Sequence, residues 1–104
     1  GFSYCIRDIM EFHPTMTEYN SPVVHAVEQA IRRVLKRNPE KIISPGTYDQ
    51  KHIARIGHLH DCIAYGPGIL DLAHQPDEYV IIEDMVKSSQ VMALATLQLL
   101  GADA

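Results

Sequence analysis

The spacing of hydrophobic positions changes several times along this chain, and each change marks an expected element. Across residues 2–12 the even positions read Phe, Tyr, Ile, Asp, Met, Phe, while Ser3, Arg7 and Glu11 fall on the odd ones. A period of two predicts a long, half-buried strand. Residues 13–20 are polar and contain Pro14; Ser21-Pro22 then supplies a capping hydroxyl and a proline suited to a first helical turn. A helix is expected to about Arg37, with Val24, Val27, Ile31, Val34 and Leu35 as its apolar stripe, before Asn38-Pro39 stops it.

Residues 41–44 form a short apolar run suited to a buried strand, and Pro45-Gly46-Thr47 breaks it. A second helix is predicted over residues 48–56, with Thr47 and Gln50 in capping-box register and Gly57 as its stop. Residues 61–65 read as another strand, halted by Gly66-Pro67-Gly68, and residues 79–81 as a short extended piece. Ile82, Met85, Val86, Ser89, Ala93, Leu97 and Leu100 then recur at helical spacing. After the first strand, helix, strand, helix, strand, helix is the order of an α/β fold, with crossover helices on a mainly parallel sheet. Ligands of such sheets sit beyond the carboxyl ends of strands, where this chain has the 45–47 turn and the 66–77 loop.

Composition narrows the function classes. The chain has 104 residues, 46% hydrophobic and 21% charged, so it is one folding unit at most. Nine Lys and Arg against 13 Asp and Glu give a formal net charge of -4, which speaks against a nucleic-acid partner. No apolar stretch approaches the roughly 20 residues of a membrane span. Cys5 and Cys62 lie far apart and form no metal-type pair, which suggests a reducing compartment and a cytoplasmic location.

The two loops carry the chemistry. One reads Ser44-Pro45-Gly46-Thr47-Tyr48-Asp49; the other has a Gly66-Pro67 turn, His74 seven residues after the proline, and Glu78 four residues further on. In this order and at this spacing they resemble the carboxyl-terminal end of the zinc aminoacylase and carboxypeptidase family. Its members include acetylornithine deacetylase, succinyl-diaminopimelate desuccinylase and the glutamate-releasing carboxypeptidases. The resemblance implies a zinc-peptidase-like catalytic domain whose carboxyl-terminal part spans residues 15–104, with residues 1–14 as the last strand of an inserted lid that mediates homodimerisation.

By the same resemblance His74 is a metal ligand, Glu78 orients the ligand loop, and Gly46 and Thr47 contact a substrate carboxylate. The residue types suit those tasks. Neutral imidazole is a good zinc ligand, and a Gly-Thr turn opening a helix offers amides and a hydroxyl to an anion. Pro45 stands where family members often have another glycine, which removes one backbone donor. Plain structural roles compete: Gly46 and Thr47 as turn and cap, Asp77 and Glu78 as a solvated acidic pair, His58 and His60 as solvated histidines.

The implied cofactor is Zn2+, one or two per full-length chain, replaceable by Co2+ or Mn2+. The implied activity is hydrolysis of the amide of an N-acyl amino acid or small peptide, of the acetylornithine deacetylase or succinyl-diaminopimelate desuccinylase type. The family's upstream histidine, bridging aspartate, remaining carboxylate ligands and water-activating glutamate have no counterpart here. The chain is therefore expected to be the carboxyl-terminal piece of a longer hydrolase, with no catalytic residue of its own, inactive alone and partnered by the amino-terminal remainder. The rival expectation is a non-catalytic binding or assembly module on the same scaffold.

Overall fold

The computed structural model describes residues 1–102. Three α-helices carry the architecture: α1 (Pro22–Leu35), α2 (Gln50–Gly57) and α3 (Ile82–Leu99), with a single turn of 3-10 helix at Leu70–Leu72. The tertiary contact between helices is that of α1 with α3.

The start of α1 is capped as its sequence predicts. Ser21 accepts a hydrogen bond from the Val24 amide at 3.3 Å, and Pro22 occupies the first turn. A second exposed amide of that turn, on Val23, donates to the Asp61 carboxylate at 3.2 Å, so a residue 38 positions away completes the cap. The helix ends at Leu35 rather than Arg37 because Lys36 turns left-handed (φ 55°) and its amide bonds back to the Arg32 carbonyl. Lys41 then returns to α1, pairing with Glu28 at 2.8 Å while its ammonium lies 5.4 Å from the Tyr19 ring centre.

Helix α2 begins at Gln50, with Asp49 at the cap position and no side-chain cap. The Thr47–Gln50 capping box does not form, because the Gln50 amide group donates instead to the Cys62 carbonyl. Thr17 also bonds to the carbonyls of His60 and Cys62 and accepts from the Cys62 amide. The 61–65 segment is thus held by side chains from two other parts of the chain. His58 (φ 53°) closes α2 in the left-handed conformation, one residue beyond the expected glycine.

The core is small and built from small residues. Ala26, Ala30 and Ile31 of α1 meet Val91 and Ala95 of α3, with Val27, Val34, Leu35, Tyr65 and Leu94 packed around them. Ala26 and Val91 are fully excluded from solvent. The helix expected from the spacing of Ile82, Met85, Val86, Ser89, Ala93, Leu97 and Leu100 forms, and those positions face away from α1. At 100° per residue those seven positions cluster opposite Val91, so α3 is apolar on two faces and α1 covers only one. Close approach favours the face with Ser88, Val91 and Ala95, where short side chains let the backbones draw together.

Among the described residues there is no β-strand. The expected strand segments 2–12, 41–44 and 61–65, and the short piece 79–81, run without ladder partners, and Phe2, Tyr4, Ile6, Ile9, Ile42, Ile43, Tyr79 and Ile81 are exposed. A strand exists only through the edge of a neighbour, so a strand pattern without one stays irregular. The radius of gyration is 17.7 Å, against about 13 Å for a compact domain of this length. The accessible surface of 8904 Å² compares with about 5,900 Å² for a compact monomer of this mass. No helix among the described residues is long and apolar enough to cross a membrane.

Two outcomes follow from these contacts. Ala30→Leu overpacks the α1–α3 seam and is expected to cost about 1–3 kcal/mol in urea unfolding, whereas Ala93→Leu on the open face is close to neutral. The hydrogen bond from Lys41 holds the Glu28 carboxyl below its ordinary range, against a smaller opposing effect of burial. The pair's contribution is complete above the ordinary carboxylate range and fades as pH falls through the lowered folded value. Lys41→Met is expected to remove that part of the acid dependence, read from unfolding midpoints between neutral pH and pH 3.

Candidate functional site

The loop bearing His74 is assembled from successive tight turns. Gly68 has φ +101°, a conformation that favours glycine, and a Cβ there would stand 3.7 Å from the Val80 side chain. The turn at Leu70–Leu72 is closed by the Ala73 amide bonding to the Leu70 carbonyl at 3.0 Å, and the Gln75 amide bonds to Leu72 at 3.1 Å. His74 and Asp77 are both left-handed, at φ 62° and 61°, on either side of Gln75-Pro76. Such backbone costs on the order of 1–2 kcal/mol for a side-chain-bearing residue.

Glu78 meets part of that cost. Its carboxylate accepts a hydrogen bond from the His74 backbone amide at 3.2 Å, which ties the loop across four residues and leaves the imidazole exposed. A charge-assisted bond of this kind is stronger than a neutral one. The structure therefore brings His74 and Glu78 together through the histidine's backbone, with its ring nitrogens free to bind elsewhere.

At the other loop, the Gly46 amide donates to the Ser44 hydroxyl at 3.2 Å, and Ser44 Oγ lies 2.7 Å from the Tyr48 hydroxyl. The Gly46 amide, expected to be free for an anion, is thus engaged within the turn. The Tyr48 ring crosses the glycine so closely that a Cβ would lie 3.2 Å from its hydroxyl and 3.3 Å from its ring. Thr47 is exposed. Beside the turn lies a cavity of about 180 Å³ bordered by His13, Thr15, Thr47, Tyr48 and Lys51. Its far wall is Phe12, with the Lys51 ammonium 4.8 Å from the ring centre and His52 edge-on at 5.4 Å.

Ser44 and Tyr48 were not singled out by sequence reasoning. Their only signal was a hydroxyl pair spaced four apart across Pro45-Gly46, which has no meaning until the turn folds them together. Among the described residues no three His, Cys, Asp or Glu side chains converge to hold a metal ion. His74 fits such an ion as one exposed imidazole donor.

A family model supplies the wider context. The model of peptidase family M20/M25/M40 matches residues 3–98. The chain belongs to this family. The peptidase match takes in both loops, α1, α2 and all of α3 but its last residue. This M20-family chain is also similar to a succinyl-diaminopimelate desuccinylase of Sulfurovum sp. (strain NBC37-1), 33% identical over 91 residues, which is 88% of this chain and 24% of that protein. The chain thus spans about a quarter of the length of that curated relative. No solved structure matches it.

The Glu78 tie predicts a local signature. Glu78→Ala is expected to speed hydrogen exchange of the His74 amide by roughly tenfold, the worth of one charge-assisted bond. Glu78→Gln, which keeps an acceptor oxygen, is expected to fall between the two by NMR.

Proposed function

We propose that this chain is the carboxyl-terminal part of a metal-dependent amidohydrolase that cleaves the amide of an N-acyl amino acid or small peptide. The observation that carries the reading is the family match over residues 3–98, with His74 set on a loop pinned by Glu78. Desuccinylation or deacetylation of a diamino or amino acid is the substrate class favoured, supported by the similarity to the desuccinylase. Bound Zn2+ would supply Lewis-acid polarisation and an activated water at neutral pH.

The residues of this chain then have defined tasks. His74 contributes an imidazole nitrogen as a metal ligand, and Glu78 holds the backbone that aims it. Thr47, exposed in the turn that precedes α2, donates its hydroxyl to the substrate carboxylate, and Gly46 allows the tight turn that places it. No residue here moves the proton of the attacking water, so the piece alone is inactive. That task falls to a glutamate in the amino-terminal remainder.

The same reading accounts for the bare surfaces. We place segments 41–44 and 61–65 in the mainly parallel sheet of the longer catalytic domain, and the outer face of α3 against apolar surface supplied by that domain. Residues 1–14 belong to a lid through which the protein forms a homodimer. Two cysteines with no disulfide between them suit a cytoplasmic enzyme.

Zinc stoichiometry of the longer protein tests the proposal. His74→Ala is expected to lose at least one equivalent of zinc per chain by elemental analysis and to reduce amidase turnover by three orders of magnitude or more. Unchanged zinc content would overturn the assignment and leave the reading of a binding or assembly module.

A further inference from the structure

We infer that the hydroxyl pair of Ser44 and Tyr48 is a further hydrogen-bond donor to the substrate carboxylate, acting beside Thr47. The inference rests on the reading of the 46–47 turn as the carboxylate anchor, and it follows from counting protons. Two hydroxyls hold two protons, and the 2.7 Å contact between them uses one. The Gly46 amide fills one acceptor position on Ser44 at 3.2 Å. One O–H therefore remains, with no protein acceptor among the described residues.

Position directs that proton. Tyr48 borders the cavity beside Thr47 and is 38% exposed, whereas Ser44 is half-buried behind the turn. A phenol is also the stronger hydrogen-bond donor of the two. When a carboxylate occupies the cavity, Ser44 donates to Tyr48 and Tyr48 donates to the carboxylate. The Gly46 amide polarises Ser44 from behind, so the chain of three hydrogen bonds is mutually reinforcing. The engaged amide thus still serves the anion, relayed through two side chains.

The surroundings suit an anion of this size. Lys51 borders the same cavity and makes no ion pair among the described residues, so it adds uncompensated positive charge. Asp49, which would repel a carboxylate, is not among the residues that line it. The close pass of the Tyr48 ring over Gly46 fixes where the hydroxyl lies, so a side chain at position 46 would displace the donor.

The test uses the longer metal-loaded enzyme and compares a substrate bearing a free carboxylate with its carboxamide analogue. Tyr48→Phe, which keeps the ring and removes the proton, is expected to reduce the acid-over-amide ratio of kcat/KM about tenfold. Ser44→Ala is expected to reduce it about threefold, and Ser44→Thr to restore it. Equal zinc content and circular dichroism establish that each variant is folded. If Thr47→Val lowers the ratio and both Tyr48→Phe and Ser44→Ala leave it unchanged, the turn binds the carboxylate and the inference about the hydroxyl pair is overturned. If none of the three changes the ratio, the carboxylate reading of the turn fails and the inference falls with it.

Discussion

Everything else in this chain hangs on the seam between α1 and α3. Ala26 and Ala30 press against Val91 and Ala95, and the short side chains let two helices separated by 46 residues of largely irregular backbone approach closely. Dispersion between tightly packed atoms rewards such proximity even where each residue buries little area. The sites lie in the connection between the two helices, so their placement depends on how the seam fixes its ends. Asp61 contributes from within that connection by capping the start of α1.

The seam does not satisfy the chain's hydrophobic content. Helix α3 turns Ile82, Met85, Val86, Leu97 and Leu100 to solvent, and the alternating residues of 2–12 are exposed along their length. A helix with two apolar faces belongs between two layers. The large accessible surface and extended shape have the same origin, since no layer among the described residues covers these faces.

Both site loops rely on side chains that bond to nearby backbone. Glu78 takes the His74 amide, and Ser44 takes the Gly46 amide. Such bonds give short loops a definite shape without help from a sheet, because they satisfy backbone groups that would otherwise need water or a ladder. No hydrogen bond among the described residues joins the two loops, so in the proposed function their convergence on one substrate falls to the rest of the proposed domain.

The amino-acid sequence by itself determined the three helices, the Ser21 cap, the two loops and the family to which they belong, because periodicity, capping and motif spacing are local properties. Residues close in sequence interact whatever the rest of the chain does. The face of α3 that meets α1 was not legible: its large residues mark one stripe, and the contact uses the smaller one opposite. That choice depends on how closely two backbones can approach, a property of the pair. The Gln50 bond to Cys62, the Asp61 cap and the Ser44–Tyr48 pair were likewise decided by the tertiary structure, since each joins groups whose partnership exists only after the chain has turned back on itself. Neither yields a β-sheet among the described residues, because strands are made by neighbours and these segments have none here.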